Sequence, residues 1–151
     1  MKSWARRRPA KQATIEVSVP AVLIIDDDPA ARRMMRRILA DANYQVIEAE
    51  NGVEGVGQFR TRAPELVITD IVMPEKEGIQ TITEIRAMGS TVGVIAVSGG
   101  GPGAGDLYLS MAEELGADAV LAKPFRPSEL MALVNQLIAR NLAGPAPPKR
   151  A

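Results

Sequence analysis

The sequence contains no cysteine and no histidine, and aromatic residues make up only 3% of its 151 positions. Without cysteine there is no disulfide framework, no thiol nucleophile and no thiolate metal site. Without histidine there is no Ser-His or Cys-His triad and no imidazole ligand or proton shuttle. The aromatic shortage makes the core aliphatic, built from Val, Ile, Leu, Ala and Met. Long apolar runs are missing as well: none approaches the roughly 18 residues of a membrane span. Any chemistry must therefore rest on carboxylates, lysine, hydroxyls and the backbone.

The 18 basic and 18 acidic side chains cancel, but unevenly along the chain. Lys2, Arg6, Arg7, Arg8 and Lys11 fall within the first 13 residues, where no acidic residue occurs. That leaves 13 basic against 18 acidic groups over residues 14–151, a net charge of −5. This count argues against a uniformly basic nucleic-acid-binding domain. The arginines of the head are not followed by an apolar stretch, so the head does not read as a signal peptide. Residues 1–19 read as a flexible, solubilising segment, residues 20–142 as one domain, and residues 143–151, with Gly144-Pro145-Ala146-Pro147-Pro148, as an extended tail. The expected location is the cytoplasm.

From Pro20 onward short apolar runs alternate with amphipathic stretches. Strands are predicted over Ala21 to Ile25, Gln45 to Ala49, Leu66 to Thr69, Val92 to Val97 and Ala119 to Ala122. Four of these runs are almost continuously apolar, as befits parallel strands covered on both faces. The mixed Gln45-Val46-Ile47-Glu48 suits a sheet edge. The first intervening helix opens at Asp28-Pro29 and carries Ala31, Met34, Met35, Ile38, Leu39 and Ala42 at helical spacing. Val53, Val56 and Phe59 mark a second helix, weakened by Gly55 and Gly57. Ile79, Ile82 and Ile85 mark a third, and Leu107, Met111 and Leu115 a fourth. Leu130, Leu133, Val134, Leu137 and Ile138 mark a fifth. Five β-α repeats predict an α/β fold with a parallel sheet and right-handed crossovers.

In such sheets ligands bind beyond the carboxyl ends of the strands. There the sequence places Asp26-Asp27-Asp28, Asp70, Ser98 and Lys123-Pro124. Helix capping explains Asp28 but not the convergence of Asp26, Asp27 and Asp70. Carboxylates about 5 Å apart repel by roughly 3 kcal/mol per pair at an effective dielectric of 20. A cation is needed among them. Lys123 supplies one charge, and hard oxygen donors without His or Cys suit Mg²⁺.

These residues resemble the receiver domain of bacterial two-component response regulators. The resemblance rests on Val22-Leu23-Ile24-Ile25-Asp26-Asp27-Asp28-Pro29, on Pro64 to Pro74 with Gly78, on Val94 to Ser98, and on Leu115-Gly116-Ala117-Asp118 through Lys123-Pro124-Phe125. It implies a flavodoxin-like doubly wound five-stranded sheet in the order 2-1-3-4-5 with five helices. It implies that Asp70 accepts a phosphoryl group from a histidine kinase or histidine phosphotransfer protein. Asp27, Asp70 and the Val72 backbone carbonyl would ligate Mg²⁺, with Asp26 acting largely through water. Ser98 would hydrogen-bond the phosphoryl oxygens, Lys123 would pair with them, and the Lys123-Pro124 bond would be cis. The phosphorylated form would signal by binding a downstream protein. From charge and hydropathy, no nucleic acid partner and no membrane span are expected.

The sequence departs from that family pattern at Val120, where an aromatic ring is usual, and in the glycine-rich stretch from Gly99 to Gly105. That stretch, instead of a ring, is the expected conformational element. Gly100 and Gly105 have P-loop spacing, but Asp106-Leu107 stands where Lys and Ser or Thr are required. Two other readings compete. One is a haloacid-dehalogenase-type phosphatase with Asp26 as nucleophile; Ala30 breaks its opening motif and the chain has no room for a cap domain. The other is a degenerate receiver serving only as a binding module. Arg32, Arg33, Arg36 and Arg37 give the first helix a basic side, either solvated or used for docking the phosphodonor. Tyr108, Leu109 and the last helix are the candidate output face.

Overall fold

The computed structural model describes residues 19–71, 78–99 and 110–142. The basic head, Val72, the glycine-rich stretch beyond Gly99 with Tyr108 and Leu109, and the proline-rich tail lie outside these residues. The elements run β1 (Ala21–Ile25), α1 (Pro29–Asp41), β2 (Gln45–Ala49), α2 (Gly52–Arg62), β3 (Leu66–Asp70), α3 (Gly78–Ala87) and β4 (Gly93–Ser98). After residues 110–114, which are helical (α4), come β5 (Ala119–Ala122) and α5 (Pro127–Leu142). All strand pairings are parallel and the sheet order is β2-β1-β3-β4-β5.

Alternation along each strand divides the core into two layers. Val22, Ile24, Leu66, Ile68, Ile95 and Val97 pack with Met35 and Leu39 of α1 and Leu130, Val134 and Leu137 of α5. Leu23, Ile25, Val67, Val94 and Ala96 face the other way, onto Ile79, Ile82 and Ile85 of α3 and Ala112 of α4. Because both faces are covered, the central strands are apolar at nearly every position. β2, with Gln45 exposed and Glu48 half-buried, forms the expected edge.

Local chemistry sets the boundaries. The Asp28 carboxylate accepts from the Ala30 amide at 3.0 Å and Pro29 occupies the first turn, starting α1. Asn51 caps α2 by accepting from the Glu54 amide at 2.8 Å. Three helix stripes differ from expectation: Met34, Val53 and the pair Met111 and Leu115 are exposed, while Met35 and Val56 are buried as expected and Ala112 takes the inward position of α4. β4 begins one residue later than the apolar run. Its Val92 carbonyl accepts from Arg86 Nη1 at 2.6 Å instead of joining the sheet ladder.

Arg86 also donates to the Ser90 carbonyl and twice to the Gly116 carbonyl, and it pairs with Asp118 at 2.9 Å. Asp118 in turn accepts from the Val94 amide and pairs with Arg140 of α5 at 3.0 Å. Gly116 sits at φ +119°, and a Cβ there would lie 3.0 Å from the Arg86 side chain, so only glycine fits. This polar knot fastens α3, α4, β4, β5 and α5 at the amino end of the last two strands.

Candidate functional site

The parallel register carries the sequence-predicted residues to one edge. Ile25 pairs with Thr69, so the next residues, Asp26 and Asp70, stand side by side where β1 and β3 end. Asp70 pairs with Val97, and Ser98 with Ala122, which places Ser98 and Lys123 one step further along the same edge. The Lys123 amide donates to the Ser98 carbonyl at 2.8 Å, extending the β4–β5 pairing to the last residue before the Lys123-Pro124 bond, which is cis as expected.

Asp26 is fully buried, Asp70 and Ser98 are buried, and Asp27 is exposed. Lys123 Nζ lies 2.8 Å from Asp26 Oδ2 and 3.3 Å from Asp70 Oδ2. Burial alone would lower the pKa of this ammonium. The hydrogen bond to Asp26 and the charges of Asp70 and Asp26 outweigh it and hold the lysine above its usual range. The remaining Asp26 oxygen, Oδ1, accepts from the Asp28 amide at 2.9 Å. Gly99 leaves room for the lysine stem, since a Cβ there would approach Lys123 Cδ to 3.2 Å.

Asp26, Asp27 and Asp70 each offer a carboxylate oxygen, and these oxygens lie within 4.8 Å of one another. Three hard, anionic donors with one face open to solvent suit a small divalent cation that keeps several waters. The donor set thus fits Mg²⁺, with Asp26, Asp27 and Asp70 as the side chains positioned to hold it. Val72, expected to add its carbonyl, lies outside the described residues. Among those residues no helix is long and apolar enough to cross a membrane.

The basic side of α1 divides in two. Arg32 and Arg36 both pair with Glu48 on the edge strand, while Arg33 and Arg37 are exposed. Sequence periodicity could not show this pairing, because it joins a helix to a strand.

Residues 22–135 match the family model for the response regulator receiver domain. The chemotaxis protein CheY of Thermotoga maritima is 36% identical over 117 residues, covering 77% of this chain and 95% of the relative. CheY of Halobacterium salinarum is 32% identical over 117 residues, covering 78% and 95%. Among solved structures, the N-terminal domain of an uncharacterized protein from Wolinella succinogenes superposes with a TM-score of 0.75 at 32% identity, covering 84% of this chain and all of that one.

Proposed function

This chain belongs to the response regulator receiver domain family, and from that premise we propose that Asp70 is a phosphoacceptor, serviced by Mg²⁺, Ser98 and Lys123. The observation that carries the proposal is the meeting of three carboxylates and one lysine at a single sheet edge. An Asp70 carboxylate oxygen forms the new bond to phosphorus while the bond from phosphorus to the imidazole nitrogen of a phosphohistidine donor breaks. The donor's histidine leaves with the electron pair, so this chain needs no histidine of its own.

Charge in such a transfer resides on the equatorial phosphoryl oxygens, so cations placed in advance supply most of the catalysis. Mg²⁺ held by Asp26, Asp27 and Asp70 would supply charge neutralisation there. Lys123, already aimed between Asp26 and Asp70, supplies a second positive charge without a large search. The Ser98 hydroxyl donates to a phosphoryl oxygen, and burial around Asp70 limits competing water. Asp26 suits the phosphatase alternative less well than Asp70 suits the acceptor role, because Asp26 is fully buried and fixed at both oxygens by the Asp28 amide and Lys123.

The donor on this reading is a histidine kinase or histidine phosphotransfer protein, with exposed Arg33 and Arg37 beside the site as docking charges. The output is a phosphorylation-dependent contact with a downstream protein. Acetyl phosphate with Mg²⁺ should add one acid-labile phosphoryl group by intact mass, and Asp70→Asn should abolish it. An unchanged yield in Asp70→Asn removes Asp70 from the role.

A further inference from the structure

The three candidate cation ligands are not held equally. The Asp26 carboxylate is fixed by the Asp28 amide and Lys123, and Asp70 ends a central strand. Asp27 is exposed, and among the described residues no hydrogen bond holds its carboxylate. Its aim is therefore set by the backbone that carries it.

That backbone is gripped from α1. Arg32 Nη1 donates to the Asp26 carbonyl at 2.7 Å, and this carbonyl belongs to the same peptide plane as the Asp27 amide. The guanidinium is oriented in turn by Glu48, whose Oε1 lies 3.7 Å from Arg32 Nε. Glu48 is itself paired with Arg36. The Arg32 amide donates to the Asp28 carbonyl at 3.0 Å, closing a ring of contacts from residue 26 to residue 32. A planar fork holds the carbonyl and the carboxylate in one fixed geometry, whereas a lysine ammonium is a point charge on a flexible stem.

We propose that Arg32 is a positioning residue for the cation site: it fixes the Asp26–Asp27 peptide plane and thereby aims the Asp27 carboxylate at the space shared with Asp26 and Asp70. It touches neither cation nor phosphoryl group. The inference rests on the phosphoacceptor reading, whose Mg²⁺ site it refines. Arg32 lines an open cavity of about 160 Å³ with Glu48, Glu50 and Glu54, so shortening it leaves space for water instead of a dry void.

The test is Mg²⁺ affinity by calorimetry in wild type, Arg32→Met, Arg32→Lys and Asp27→Ala, alongside urea stability and the Asp27 amide resonance in metal-free buffer. Loss of a group that orients a ligand commonly weakens binding about 10-fold or more, the loss expected for Arg32→Met, with a smaller loss for Arg32→Lys. The Asp27 amide resonance should move in both variants before any metal is added, which a role in general stability alone would not produce. Binding within about twofold of wild type in both Arg32 variants, with Asp27→Ala clearly weakened, overturns this inference and leaves the phosphoacceptor reading standing. If Arg32→Met does not fold, Arg32→Lys decides by the same criterion. Equal binding by wild type and Asp27→Ala overturns the cation site and this inference together.

Discussion

A Cβ placed on Gly78 would lie 2.0 Å from the backbone carbonyl oxygen of Asp70. The first residue of α3 thus passes directly over the main chain of the candidate phosphoacceptor, and the contact atoms are backbone, which cannot swing aside. Gly78→Ala should cost about 2–3 kcal/mol in urea denaturation by forcing α3 off β3. Gly57, exposed in α2 with nothing within 4 Å of its missing Cβ, is the control. Gly57→Ala should gain about 0.5–1 kcal/mol from helix propensity alone. Equal effects at the two positions would contradict the close approach at Gly78.

Removing Lys123 leaves Asp26 and Asp70 buried at one edge without their cation. In metal-free buffer at neutral pH, Lys123→Met should lose about 3 kcal/mol, and adding Asp26→Asn should restore part of it by removing one of the facing charges. The pH dependence has a definite sign. Because the folded lysine's pKa is raised, its contribution is complete below the unfolded value of about 10.4 and is lost as pH rises through the folded value. The stability gap between wild type and Lys123→Met should therefore narrow only in strong alkali.

Arg86 satisfies three carbonyls and one carboxylate at the opposite end of the sheet. Arg86→Ala should cost about 3 kcal/mol, since half-buried acceptors lose their donor and Asp118 loses a partner. Arg86→Lys should recover only a minor share, because one ammonium cannot span the same acceptors. Full recovery by lysine would show that charge alone matters there.

Tyr44 donates its hydroxyl to Asn135 Oδ1 at 2.8 Å, and partial burial raises the phenol's pKa by penalising the phenolate. Tyr44→Phe should cost about 1 kcal/mol at neutral pH. A raised pKa means that the phenol's contribution holds below the unfolded value of about 10 and fades as pH climbs through the folded value. Urea midpoints of wild type and Tyr44→Phe should therefore converge above that pH; a constant offset throughout would contradict the assignment.

The strands, the edge strand and the acidic edge were legible in the sequence because each leaves a local trace, whereas the sheet order followed only from the family resemblance. Continuous apolar runs mark strands covered on both sides, and chemically costly residues such as Asp26, Asp70 and Lys123 stand out at their ends. Met34 and Val53 lie at the margins of loose apolar stripes, and such a stripe does not show where the buried face ends; Met35 and Val56 are the members that turn inward. The sequence shows Arg32 only as part of the basic side of α1 and gives Arg86 no role. Their partners, the Asp26 carbonyl and the carbonyls of Ser90, Val92 and Gly116, are main-chain oxygens, and a backbone acceptor has no letter in a sequence. Gly78 carried a motif match but no reason; the reason is the carbonyl above which it sits.

β5 is only four residues long, and it runs from the Asp118 knot to Lys123. A strand this short, fastened at its root by two arginines, makes a poor shock absorber. It cannot slide along β4 without breaking the contacts of Asp118 with Arg86 and Arg140. Any displacement of the Lys123 ammonium is therefore taken up by torsion of the lysine's own stem or passed forward through Pro124 toward the start of α5. The anchored end turns the strand into a fixed post, and the moving parts are those hung from its tip.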